Sequence, residues 1–448
     1  MLNFIWLGLV LVSVILGGFT GKLPELTNGA LSAARDVVMT IALPLWGAMA
    51  LWLGIMRLAQ QSGFAQLLAR AIRPVLRRLF PDVPPDHPAM GSIVLSVAAN
   101  MLGLGNAATP LGLRAMSDLE KLNPRPGVAT NAMCTFLAIC TSSVQLIPTT
   151  AISIYVAAGS KNPTAIVSTA FLATACAAFM GVFSAKVLEK LPMFRLKEPV
   201  TRGAGGETAV SENAPVELEK IAPPPVTRHG RYILWAFLCI FAFFFVMMAF
   251  PNALPKLTAP TPPPEIAARG GVVRSLNTVS ILAVPFLLSF FPLYASLRGV
   301  KVYDQFVEGA KEAFPVILRI IPFLVAMLVS IAMFREAGGI AFLSRLLSPL
   351  LNLVRFPADL LPLVLMRPLS GGATFGIFAE LVKRFGPDSF NSRLGGTIYG
   401  STETTFYVLT VYFGSVGIRR TRHAVAAGLI ADLTGVVAST VVCHAVFG

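Results

Sequence analysis

AANMLGLGNAATP (Ala98 to Pro110) and RPLSGGATFG (Arg367 to Gly376) each interrupt an apolar stretch with Gly, Asn, Thr and Ser where a membrane-spanning helix would stay uniform. Backbone freed from a helix at membrane depth is tolerated only where protein buries it or a polar cavity faces it. In pairs, such interruptions point to a solute site.

The flanking sequence fixes the class. The 448 residues are 55% hydrophobic and 13% charged, and a mean hydropathy of +0.72 is too high for a soluble globular chain. Apolar runs near 2 to 19, 37 to 58, 128 to 158, 164 to 188, 231 to 251, 275 to 297, 313 to 334, 396 to 414 and 422 to 447 are of the order of the ~20 residues a crossing needs. The N-terminal MLNFIWLGLVLVSVILGGF carries no basic flank and no small-residue cleavage site, so it reads as an uncleaved first span.

The formal charge of +14 resides in short segments between apolar runs, which is membrane-loop charge and not a nucleic-acid footprint. Cys134, Cys140, Cys176, Cys239 and Cys443 lie inside apolar segments without metal-ligand or disulfide spacing. No phosphate loop, G-x-S-x-G or H-E-x-x-H occurs, and His87, His229, His423 and His444 are scattered, so no enzyme site is expected. No cofactor is expected either.

Two halves repeat one another. DVVMTIALPLWGAMALWLGIMR (Asp36 to Arg57) aligns with EAFPVILRIIPFLVAMLVSIAMFR (Glu312 to Arg335), matching Pro44 with Pro322, Met49 with Met327 and Arg57 with Arg335. Arg-bearing amphipathic segments follow, FAQLLARAIRPVLRRLF (Phe64 to Phe80) and AFLSRLLSPLLNLVRF (Ala341 to Phe356), suited to lie in the interface. The interrupted segments come next, then TSSVQLIPTTAISIYVAAGS (Thr141 to Ser160) and its counterpart STETTFYVLTVYFGS (Ser401 to Ser415). Internal repeats of this length mark transporters.

If the first interrupted segment dips in and returns, Arg57, Arg70, Arg73, Arg77, Arg78, Arg114, Lys121, Arg125 and the cations from Lys186 to Arg231 share one face, with Lys161 opposite. That is a positive-inside pattern with a cytoplasmic N-terminus. The expected fold is an all-α polytopic protein of the cytoplasmic membrane with nine crossings. It comprises two inverted repeats, each of four transmembrane helices, an interfacial helix and a re-entrant hairpin. The expected divisions are residues 1–192, a polar linker at 193–230, an extra span with a Pro-rich loop at 231–274, and 275–448. The cost of this arrangement is that Arg335, Arg345, Arg355, Lys383 and Arg384 face outward.

Candidate solute-binding residues follow from the breaks. Asn100, Gly105, Asn106 and Thr109 stand where Leu and Val would serve a plain span, as do Ser370, Gly371 and Thr374 in the second half. Gly admits close backbone approach, while Asn, Ser and Thr offer donors and acceptors. The competing reading is small-residue helix packing, and the duplication favours a site. Ser142 and Gln145 in the first half and Thr402, Glu403 and Thr404 in the second give a polar patch twice, although such hydroxyls also back-bond to their own helices. Arg367 lies in an apolar run, costs at least about 2.5 to 3.5 kcal/mol there on insertion scales, and needs an anion, Glu403 or Asp432. Glu403 alternatively binds a polar solute or takes up a coupling proton. Asp36 and Glu312, at helix starts, read as structural. The expected partners are membrane lipid and a small polar solute, with a proton or Na+ as coupling ion, and self-association is compatible with the pattern.

At these residues a resemblance is visible. ANMLGLGNAATPLGL and SSVQLIPTTAISIYVAAGS resemble the spore maturation protein A family, whereas RPLSGGATFG, STETTFYVLTVYFGSVGI and RHAVAAGLIADL resemble the spore maturation protein B family. The chain thus looks like a fusion of the two. More distantly it resembles the nucleoside-recognition gate module of concentrative nucleoside transporters and of ferrous iron transport protein B. That resemblance implies two hairpin tips meeting at mid-membrane around a small, nucleoside-like polar solute. Asn106 and Ala107 depart from it, since the nucleoside carriers have a more acidic tip. A non-transporting scaffold and a metal-ion permease are the other readings the resemblance admits.

Overall fold

A computed structural model describes residues 2–103, 105–194, 224–250, 270–339, 345 and 355–448. The polar linker, the Pro-rich loop and most of the second amphipathic segment therefore lie largely outside the described residues. Within them the chain is helical, and the extended pairing is one isolated bridge, Val128 with Arg420.

The first half begins with α1 (Leu2–Thr20) and α2 (Leu23–Asp36), and a π-helical turn (Val37–Ala42) leads into α3 (Leu43–Gln61). The Arg-rich α4 (Phe64–Leu79) follows. The first interrupted segment is a helical hairpin, α5 (Pro88–Met101) turning through Gly103 into α6 (Gly105–Glu120). Gly103 has φ of 70°, a conformation that costs a side-chain-bearing residue and not glycine. The next run is broken into α7 (Asn131–Ser142) and α8 (Thr149–Ala157), after which α9 (Val167–Leu188) is continuous.

Then come α10 (Arg228–Ala249), α11 (Gly271–Leu297), α12 (Val302–Lys311) and α13 (Ala313–Glu336). The second hairpin is α14 (Leu361–Met366) and α15 (Gly371–Phe385). A broken pair, α16 (Phe390–Ser401) and α17 (Thr405–Ser415), precedes the continuous α18 (Ala424–Phe447). Among the described residues α9, α10, α11 and α18 are long and apolar enough to cross a membrane, while the hairpin arm α5 and the half-span α7 are shorter apolar helices.

The two halves interlock. α9 lies along α18, α7 packs on α18 as α16 packs on α9, and the second piece of each broken run crosses over, α17 to α6 and α8 to α15. One buried cluster accordingly joins hairpin residues Ile93, Val97 and Met116 to Val408, Leu409 and Tyr412 of α17. A second joins Phe375, Phe378 and Val382 of the other hairpin to Ala151, Ile154 and Tyr155 of α8. Glycines permit this closeness: a Cβ on Gly112 would overlap the Tyr412 ring, and one on Gly396 would overlap the Tyr155 hydroxyl. Elsewhere α3 and α12 meet at Gly54 and Gly309, with Arg57 bonded to Glu312 at 2.7 Å and to Gln305 at 3.1 Å. Small residues are the usual means of close helix approach in membranes, where no hydrophobic gain drives association.

Loop contacts give the helix directions. Arg422, just before α18, donates to the carbonyls of Phe194, beyond α9, and of Ala129, before α7. At the opposite end Asp388, before α16, accepts from Ser160 (2.7 Å) and from the Lys161 amide (3.0 Å), before α9. Hence α7 and α16, which lead into the matched segments at Thr141 and Ser401, start at opposite ends of the bundle, and so do α9 and α18.

Candidate functional site

Each break must satisfy the backbone groups it frees. After α7, Ser143 adopts φ of 29°, and Thr174 of α9 donates its hydroxyl to the Ser142 and Ser143 carbonyls at 2.9 and 2.8 Å. After α16, Asp432 of α18 accepts from the Thr405 hydroxyl at 2.7 Å. The long helix following each broken run thus supplies the polar group that steadies it.

The breaks also grip the hairpin tips. The Leu146 amide donates to the Met101 carbonyl at 3.0 Å, and the Phe406 amide donates to the Pro368 carbonyl at 2.9 Å. Between the halves, the Glu403 amide donates to the Thr141 carbonyl at 2.7 Å, and Gln145 Nε2 donates to Glu403 Oε1 at 2.9 Å.

These contacts enclose a polar cavity of about 90 Å³, lined by Gln145, Pro148, Thr150 and Ala151 from the first half and Arg367, Gly371, Tyr399 and Glu403 from the second. By the measure in which one water needs ~10–15 Å³, it has room for a handful of waters or solute atoms. Arg367 is 5% exposed. Its guanidinium carbon sits 4.7 Å from the Tyr399 ring centroid, a cation–π contact, and its Nε has no hydrogen-bond partner. Ser370 caps α15 by accepting from the Ala373 amide at 3.2 Å. The first-turn amides at Gly371 and Gly372 are ones the helix cannot pair itself, and that terminus carries a positive partial charge.

Of the residues singled out from sequence, Gln145, Arg367, Gly371 and Glu403 come together in this wall. Thr404 borders it, since a Cβ on Gly371 would lie 2.9 Å from its Oγ1. Ser142 and Thr374 are buried and back-bond to Ala138 and Ser370, and Thr402, in the break itself, is buried. Asn100 and Thr109 are half-buried on the first hairpin and do not line the cavity. The side chain of Asn106 and the surroundings of Gly105 lie outside the described residues. Neither carboxylate named as a partner for Arg367 pairs with it: Glu403 takes Gln145 and Asp432 takes Thr405. Of the four lining residues the sequence reading passed over, Tyr399 and Thr150 are the polar ones. Tyr399 stands one helical turn before Glu403, and Thr150 belongs to the same polar run as Gln145.

The tip of the first hairpin faces a different space. Met101 and Leu102, with Leu146 and Ile147, line an apolar cavity of about 510 Å³ whose other wall is formed by phenylalanines and aliphatics of α10 and α11.

The chain is similar to several known proteins. The family model for nucleoside recognition, Gate, matches residues 42–188 and 317–419. Spore maturation protein B of Bacillus subtilis (strain 168) is 44% identical over 173 residues, covering 39% of this chain and 97% of that protein. Spore maturation protein A of the same organism is 44% identical over 174 residues, covering 39% of this chain and 88% of that protein. Each half of the chain matches one of the two, as in a fusion. Among solved structures, the crystal structure of the Alcanivorax borkumensis YdaH transporter aligns over 100% of this chain and 98% of its own, with 16% identity and a TM-score of 0.42.

Proposed function

We propose that this chain, which belongs to the nucleoside recognition (Gate) family of membrane proteins, is a carrier that passes a small polar solute across the cytoplasmic membrane. The observation carrying this reading is the polar cavity between two broken helices and a hairpin tip, its wall drawn from both halves. Irregular backbone at membrane depth is costly unless it lines such a space. The opposed directions of matched helices support alternating exposure, one half rocking against the other about the fixed cavity. Among the described residues each tip is tied to its neighbouring break by a backbone hydrogen bond, Leu146 to Met101 or Phe406 to Pro368, a modest contact that must yield if the tip moves to admit solute. Glu403, the acid in the wall, is the proton carrier in this scheme.

The cavity polarity argues against a metal-ion permease, because Arg367 repels a cation where a single carboxylate would have to attract it. Catalysis plays no part in the proposal. Proteoliposomes of the full chain, offered labelled amino acids, dicarboxylates, nucleosides and nucleobases, test it. At least one solute should be taken up, and Glu403→Gln combined with Gln145→Ala should reduce that uptake about tenfold or more, as loss of one or two polar contacts would. No uptake of any member, or uptake indifferent to the double substitution, overturns the reading. The second reading, a non-transporting protein whose hairpins hold a partner, is favoured by the relatives' names, which record a part in spore maturation. It would be supported by an intact cavity combined with no flux and a co-purifying protein lost on disturbing the tips.

A further inference from the structure

Arg367 is a cation 95% removed from solvent, and among the described residues no carboxylate pairs with its guanidinium. The Tyr399 ring at 4.7 Å offers a face without the acceptor oxygens that a guanidinium's five donors call for. Asp432 acts on it electrostatically and Glu403 shares its cavity, yet neither hydrogen-bonds it, and a buried guanidinium with an unpaired Nε is costly, so that donor is open to an acceptor arriving from elsewhere. Arg367 also lines the polar cavity, beside the start of α15 at Gly371, where unpaired amides and the helix dipole add to the positive potential. Across the same small space stands Glu403, one of whose oxygens accepts from Gln145. The cavity is therefore bipolar, positive at the second hairpin tip and acceptor-rich at the break.

We infer that the solute carries an anionic group seated on Arg367 and the α15 terminus, and a hydrogen-bond donor seated on Glu403, which is the chemistry of small carboxylates and, best, of amino-acid zwitterions. The inference rests on the carrier reading and gives its solute a class. Size agrees: about 90 Å³ accommodates a handful of heavy atoms at ~10–15 Å³ per water-sized atom, whereas a nucleoside demands a larger space than this conformation encloses.

The test is ligand binding to the purified full-length protein, read by thermal shift and calorimetry, with probes in isosteric pairs, acetate against acetamide and succinate against succinamide, with L-alanine against propionate, which lacks the ammonium, and with uridine as neutral reference. Carboxylates should bind wild type about tenfold or more tighter than their amides, the worth of a charge-assisted hydrogen bond. L-Alanine should exceed propionate. Arg367→Gln should erase the preference for carboxylate over amide, Arg367→Lys should keep part of it, and Glu403→Gln should erase the advantage of L-alanine. The wild-type pairs stand on their own should Arg367→Gln not fold. Equal binding within the pairs, binding of uridine alone, or no carboxylate binding overturns the inference. Uridine bound and transported while carboxylates are ignored would remove the anionic class and leave the carrier. Carboxylates bound without flux would remove the carrier and leave the anion site.

Discussion

Three arginines from apolar sequence meet different fates, and the difference separates structure from function. Arg57 is held by Glu312 and Gln305, Arg335 is bonded to Glu336 and Glu380, and Arg367 alone of the three faces the polar cavity with its Nε unpaired. Gly371 beside it marks how closely the tip approaches the break. Gly371→Ala should therefore destabilise the protein by about 1–3 kcal/mol through overpacking, and Thr404→Ala in the same chain should recover much of that, because the Thr404 hydroxyl is the atom a Cβ would strike. A double-mutant cycle by thermal denaturation in detergent gives the coupling. Outside the membrane, burial pushes the Asp388 carboxyl up, but the Lys161 amide, the Ser160 hydroxyl and Arg393 outweigh it and hold the group below its ordinary 3.8. A lowered carboxylate contributes stability that is complete above that ordinary value and disappears as pH falls through the native one. Asp388→Asn should then cost about 1 kcal/mol at pH 7, the worth of a hydrogen bond or two, and the gap between variant and wild-type melting should shrink once pH drops under 3.8.

At the scale of the element, each broken helix is tied to a hairpin tip by a backbone hydrogen bond, which proline can delete selectively. Phe406 is in the first turn of α17, where proline is tolerated, yet its amide is the donor to Pro368. Phe406→Pro should leave α17 helical and free the second hairpin tip, raising the accessibility of a cysteine placed at Ser370 to a thiol reagent severalfold. An unchanged labelling rate would show that the bond does not restrain the tip. The hairpins and breaks were legible in sequence because Gly, Asn, Ser and Thr clusters are anomalous in apolar runs, and the candidates Gln145, Arg367, Gly371 and Glu403 carried that signal directly. What could not be read is who covers whom. That α8 shelters the second hairpin and α17 the first depends on contacts far apart in sequence, so Thr150 and Tyr399 gave no local sign of facing Arg367. The lining of the first tip by α10 and α11 was hidden for the same reason, and Asp432, read as a partner for Arg367, instead accepts from Thr405 in the break beside it and acts on Arg367 only electrostatically.

For the whole molecule, the interlock and the two relatives that each match one half make one prediction. A chain cut between residues 194 and 224 and expressed as two polypeptides should co-purify as a one-to-one complex, while either piece alone should aggregate or be degraded, since each buried cluster draws side chains from both. Recovery of a stable, monodisperse single half would refute it. The crossing of α17 onto α6 also sets a clock on synthesis. Translation finishes α6 at Glu120 and α17 at Ser415, so at ~5–20 residues per second the first hairpin waits roughly 15 to 60 s for the helix that covers it. During that interval the hairpin face that α17 will cover stays open, while the tip itself is already gripped at Met101 by the earlier break at Leu146.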